Sequence, residues 1–171
     1  MLSTHQPRLA SSSAPIGPGS GWGKGSRGVT ISDGACDTTF SQRLAGRFNG
    51  RDQFLGYTST HAEDGRSTFV WEPTDAVENS GGMAHGGFIA AVIDDVAGSA
   101  LASRLDLLTS IPTVDAHISY LRGVPVPGRY VCEGRILRVG RRISVVDGEI
   151  LDADGQLLVR GTCTFAVRPA S

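Results

Sequence analysis

Polar and apolar residues alternate through most of the C-terminal half of this chain. Residues 113–121 read T-V-D-A-H-I-S-Y-L, and three further β-like runs occupy residues 129–139, 142–151 and 156–167. The breaks between these runs are short: residues 125–128, Gly140, and the Asp152-Ala153-Asp154-Gly155 turn. Strands joined so tightly must be antiparallel neighbours. Two shorter runs, 57–61 and 67–71, flank an Asp64-Gly65 hairpin signal, and Pro73 stops the second. Gly134, Gly148 and Gly161 interrupt three of the long runs. Interior glycines of this kind are expected to mark bulges or bends that help a sheet curve.

Between the two sets of strands the period changes. Residues 79–104 begin as a glycine-rich turn and continue as an apolar segment of small side chains. Ile89, Val92, Ile93, Val96 and Ala100 recur at helical spacing, which predicts a buried helix starting near Gly86. A helix N-terminus offers unpaired N–H groups and a partial positive charge, and glycines there leave the N–H groups accessible. Such an end suits a developing oxyanion. Two acids, Asp94 and Asp95, interrupt the apolar part about two turns further on. A carboxylate held in a core needs a partner or a task. Each acid lies more than about 100° from the centre of the apolar stripe, so periodicity does not choose between them. Upstream, Phe40, Leu44, Phe48 and Leu55 predict a short amphipathic helix over residues 39–55, capped by Thr38 or Thr39 and ended by Gly56. The order is strand, strand, long helix, four strands. This is an α+β domain, one long central helix wrapped by a curved antiparallel sheet of about six strands.

Composition narrows the picture. A length of 171 residues suits one domain with a real core. Residues 1–38 are rich in Gly, Ser and Pro, with the first acid at Asp33, and are expected to form a disordered tail ahead of a domain at 39–171. Within that tail Trp22 is the residue expected to dock if any does. A net charge of −1 gives no electrostatic case for nucleic acid. No apolar run reaches bilayer length. Cys36, Cys132 and Cys163 lack metal-ligand spacing, and an odd count of scattered cysteines fits a reduced, cytoplasmic protein. No cofactor is expected.

The pattern N-x-x-x-x-x-H-G-G-x-x-x-x-x-x-D, here Asn79, His85, Gly86, Gly87 and Asp94, resembles the signature of hotdog-fold thioesterases of the PaaI-like (4-hydroxybenzoyl-CoA thioesterase) superfamily. The similarity extends over residues 45–168. It implies a hotdog fold, and a homodimer or homotetramer whose sheets join edge to edge and whose sites lie between subunits. The implied reaction is hydrolysis of an acyl-CoA thioester. Carried over by position, Asp94 is the general base or nucleophile. The Gly86 N–H holds the thioester oxygen, His85 assists it or shapes the loop, and Asn79 orients the water or the loop. Thr113 stands where relatives often carry Ser or Thr near the water. Asp95 departs from the small or amide residue usual after the catalytic acid, and is expected to be solvated or salt-bridged. If it lies close to Asp94, its charge raises the pKa of that group. Asp115 and His117 read as structural residues of a strand, and His61 as a surface residue. Arg122, Arg138, Arg141 and Arg142 are the candidate contacts for CoA phosphates, since relatives place cations at such a strand junction and guanidinium forks suit phosphate. A non-catalytic acyl-CoA binding protein on the same scaffold is the alternative. A hotdog hydratase is weaker, because no matching His-acid motif stands out.

Overall fold

In a computed structural model the described residues are 50–106 and 108–168. The expectations for the tail, for Trp22, for the Thr38 or Thr39 cap and for residues 39–49 of the first helix lie outside them. Residues 50–55 are helical, and the chain leaves the helix at Gly56, whose φ of 91° favours glycine. Strands β1 (Tyr57–Glu63) and β2 (Arg66–Trp71) follow. Asp64 and Gly65 join them with φ values of 47° and 80°, the paired left-handed geometry of a tight hairpin turn. Then come helix α1 (Gly86–Ala102) and strands β3 (Thr113–Tyr120), β4 (Tyr130–Arg138), β5 (Ile143–Leu151) and β6 (Leu157–Ala166).

The six strands form one antiparallel sheet in the order β1-β2-β4-β5-β6-β3. The strand that leaves the helix therefore crosses to the far edge and pairs with β6. Helix α1 buries Ile89, Val92, Ile93, Val96, Ala97, Ala100 and Leu101. Opposite it lie Phe69, Trp71, Cys132, Val146, Ile150, Val159, Cys163 and Phe165. Each large apolar side chain so buried contributes about 1.5–3 kcal/mol. Trp71 is fully buried, and its indole N–H donates to the Leu55 carbonyl at 2.7 Å, which ties the first helix to the core.

The interior glycines are not where the bulges fall. Gly134, Gly148 and Gly161 are direct neighbours across β4, β5 and β6, and Ser67 of β2 extends the row. The register shifts fall elsewhere, at Tyr57/Ser59, Thr113/Asp115, Ile136/Arg138 and Ile150/Leu151. What the glycines provide is room for α1. A Cβ on Gly134 would lie 2.5 Å from the Val96 carbonyl oxygen, and one on Gly161 2.7 Å from Ile93 Cγ2. Ser67 sits in the same trough and donates its hydroxyl to that Val96 carbonyl at 2.6 Å.

Candidate active site

The glycine-rich turn is built around Asn79. Its Oδ1 accepts from the N–H groups of Gly81 (2.8 Å) and Met83 (3.3 Å), while its own N–H donates to the Met83 carbonyl (2.7 Å). Of the two expectations for Asn79, its contacts within the chain are those of a residue that shapes the loop. The turn is then strapped to the segment after β3: Ala84 N–H donates to Val124 O (2.8 Å) and Val126 N–H to Gly82 O (3.0 Å).

His85 caps α1. Its backbone is extended (φ −67°, ψ 137°), and its Nδ1 accepts from the Gly87 N–H at 3.1 Å. Because an amide N–H can only donate, Nδ1 carries no proton and the neutral ring holds its proton on Nε2. The His85 carbonyl takes the Phe88 and Ile89 amides. The Gly86 N–H, first of the helix, has no acceptor among the described residues. Tyr120, at the end of β3, donates its hydroxyl to the Gly86 carbonyl at 2.8 Å. Nothing in the sequence pattern points to Tyr120; its role appears only once β3 is set beside the helix start.

Asp94 and Asp95 diverge. Asp94 faces the start of β3, where the Thr113 hydroxyl donates to its Oδ1 at 2.7 Å. Asp95 faces the other way. Arg51 Nη1 donates to its Oδ1 at 2.6 Å and the Tyr57 hydroxyl to its Oδ2 at 3.0 Å. It is thus salt-bridged, one of the two forms expected. Burial pushes the Asp95 carboxyl up to about 6 against the opposing pull of Arg51 and Tyr57, with Asp94 adding a smaller push. Burial also raises the Tyr57 phenol, and the neighbouring Asp95 charge adds to this.

The structure separates the residues of the motif. Gly86 and Asp94 are eight residues apart on one helix, about 12 Å along its axis. Thr113 pairs with Phe165 and Tyr120 with Val159, so Asp94 with Thr113 marks one end of β3 and Gly86 with Tyr120 the other. Asp115 and His117 are exposed on this edge strand, and His61 is an exposed surface residue. Arg138, Arg141 and Arg142 come together with Gly140, Ile143 and Val145 around a shallow cavity of about 270 Å³ at the β4–β5 turn. That turn lies at the Thr113 end of the sheet, since Ile143 pairs with Ala166. Arg122 follows β3 at the opposite end, so one protomer does not gather all four arginines. No group of His, Cys, Asp and Glu that could hold a metal ion occurs among the described residues. No helix among them is long and apolar enough to cross a membrane.

A long helix on a curved antiparallel sheet, with a histidine-capped helix start that opens on two glycines and a carboxylate further along the helix, is the architecture of the hotdog thioesterases. Comparison with known proteins agrees. Residues 81–159 match the family model described as the thioesterase superfamily. A Saccharolobus solfataricus protein provisionally named an esterase is 31% identical over 105 residues, 61% of this chain and 74% of that protein. A conserved protein of Pseudomonas aeruginosa has a solved structure that is 29% identical, with a TM-score of 0.63 over 68% of this chain and 92% of its own. A Streptococcus mutans protein solved bound to acetyl-CoA is 26% identical, with a TM-score of 0.59 over 67% of this chain and 90% of its own. The chain belongs to the thioesterase superfamily and is a thioester hydrolase.

Proposed function

We propose that the chain hydrolyses acyl-CoA thioesters at two equivalent sites formed between two copies of itself. The observation that carries this reading is the division of the motif along β3. Asp94 and Thr113 mark one end of that strand, Gly86 and Tyr120 the other. The strand is a sheet edge, with Val114 56% exposed and Tyr120 52%. An open edge of this kind favours pairing with another strand. A two-fold axis through its middle brings one protomer's Asp94 beside the partner's helix start, an isologous contact that yields two sites. Pairing of such dimers gives the homotetramer common in the family.

In each site Asp94, oriented by Thr113, takes the proton of an attacking water or attacks the thioester carbon itself. The Gly86 N–H and the His85 Nε2–H stabilise the charge forming on the carbonyl oxygen, and Asn79 keeps their loop in shape. With Asp94 as base, the C–S bond of the adduct breaks, the proton passes from Asp94 to the thiolate, and a carboxylic acid and CoA leave. With Asp94 as nucleophile, the C–S bond breaks to leave an acyl anhydride on Asp94, and a water then hydrolyses it, its OH going to the released acid and its remaining proton to the CoA thiolate. The acetyl-CoA in the Streptococcus mutans relative supports CoA as the carrier. Arg138, Arg141 and Arg142 offer guanidinium groups for its phosphates, with Arg122 supplied by the partner copy. We place the chain in a reduced, cytoplasmic setting on its odd number of scattered cysteines, of which Cys132 and Cys163 are buried free thiols. We assign this machinery to a domain at residues 39–171.

The test is thiol release from a panel of short, long and aromatic acyl-CoAs. Asp94→Asn keeps the shape and the Thr113 contact but removes the base, and turnover is expected to vanish. Comparable turnover in that variant refutes the role. Arg141→Ala is expected to raise KM with little change in kcat, and an unchanged KM removes the phosphate assignment.

A further inference from the structure

Resting on the thioesterase reading above, we infer that Tyr120 is a positioning residue for the oxyanion half of the site. From the edge strand it holds the Gly86–Gly87 peptide and, through that peptide, the His85 ring. Its hydroxyl donates to the Gly86 carbonyl at 2.8 Å. A Cβ added at Gly86 would meet the Tyr120 ring at 3.6 Å, so the ring lies over this residue with room for a methyl group. The N–H of the same peptide belongs to Gly87 and donates to His85 Nδ1 at 3.1 Å. The chain of bonds therefore runs from the phenol to the carbonyl, across the amide, and on to the imidazole. An amide whose carbonyl accepts a hydrogen bond is the stronger donor at its N–H, so the phenol reinforces the bond that fixes the His85 tautomer. Nε2–H is left as the remaining donor of the ring, one residue from the Gly86 N–H.

The other ties on this loop are the Asn79 side-chain bonds inside the turn and main-chain bonds to its neighbours. Ala84 N–H meets Val124 O and Val126 N–H meets Gly82 O, and both survive any side chain at position 120. They hold residues 82–84. Beside the His85 cap, Tyr120 supplies a side-chain bond that reaches the helix start from another element. Tyr120 is 52% exposed, so its removal leaves the core intact and the contact can be tested without unfolding the domain. It also lies at the edge where the second copy would dock, which links assembly to the geometry of the donor pair.

The test is Tyr120→Phe in the full-length protein. It keeps the ring and removes the hydroxyl. Activity is read as thiol release from the best acyl-CoA of the panel. The loop is read by NMR, from the Gly87 amide in glycine-labelled protein and from the ring nitrogens of His85. The expected result is a fall in kcat of about tenfold with KM within about twofold, since a misaligned donor acts on the transition state. The Gly87 amide and the His85 Nδ1 resonances are expected to move together. A variant with wild-type kcat, a change confined to KM, or unmoved Gly87 and His85 resonances each overturns the inference. If the wild-type protein releases no thiol from any acyl-CoA, the proposed function fails separately. The two resonances then decide the Tyr120 clamp by themselves: movement sustains it, and none overturns it.

Discussion

Asp94 and Asp95 are adjacent on one helix, yet about 100° of rotation sends them to different neighbours. Asp94 meets a hydroxyl at the sheet edge, while Asp95 meets a guanidinium and a phenol that bind it to the first helix and β1. Removing the hydroxyl with Thr113→Val is expected to lower kcat about tenfold at nearly constant KM, because the carboxylate loses its orienting bond. Steady-state kinetics decide this, and a pure KM effect counts against an orienting role. Asp95 has a measurable signature in stability. Its carboxyl moves from 3.8 to about 6 on folding, so between those values the folded chain holds a proton that the unfolded chain has released. The resulting stabilisation is complete below about pH 4 and is lost as pH rises through about 6. Urea unfolding from pH 4 to 7 is therefore expected to show wild-type stability falling relative to Asp95→Asn, by on the order of 2 kcal/mol. A pH-independent difference between the two proteins contradicts this assignment.

At the scale of elements, the fold depends on a trough of small residues beneath the helix. Ser67, Gly134, Gly148 and Gly161 lie side by side on four strands, and the Val96 carbonyl and Ile93 side chain settle into the space they leave. Gly134→Ala puts a methyl group against helix backbone, which cannot move without shifting the whole element. The expected loss is about 2–3 kcal/mol by chemical denaturation, in the range of overpacked cores. Gly148→Ala, whose added carbon would meet its neighbours at 3.2 Å and beyond, is expected to lose less. Equal losses at the two positions contradict the trough. The alternation of the strands marked these glycines as unusual, but alternation records only which face a residue occupies. It carries no information on what packs against that face, so the clearance these glycines give the helix is not legible in it.

For the whole molecule the central expectation is that neither protomer is complete. Gly86 is the first helical residue and His85 before it is extended, a position that accepts proline. Gly86→Pro therefore removes the amide donor while keeping the helix, and kcat is expected to fall by about 10²- to 10³-fold. Mixed with Asp94→Asn and allowed to exchange subunits, it gives heterodimers with one intact and one doubly damaged site. Two nearly inactive proteins are then expected to recover about a quarter of wild-type activity, as random pairing of a two-fold dimer dictates. No recovery after verified exchange rules out a site shared between copies.

The strands and the long helix were legible in the order of residues, because a period of two or of 3.6 is a local property of the backbone. The six strands and the long helix lie within a few residues of where those periods put them, and the Asn79, His85, Gly86 and Asp94 register stands in the letters of the chain. It also drew attention to the helix start, since glycines beside a histidine cap are a local pattern. Tertiary structure alone decided that β3 crosses to the far edge, that Thr113 meets Asp94 there, that Arg51 claims Asp95, and that Tyr120 reaches Gly86. Each of these joins residues at least nineteen positions apart. Such meetings depend on the order of strands in the sheet, which no local period encodes.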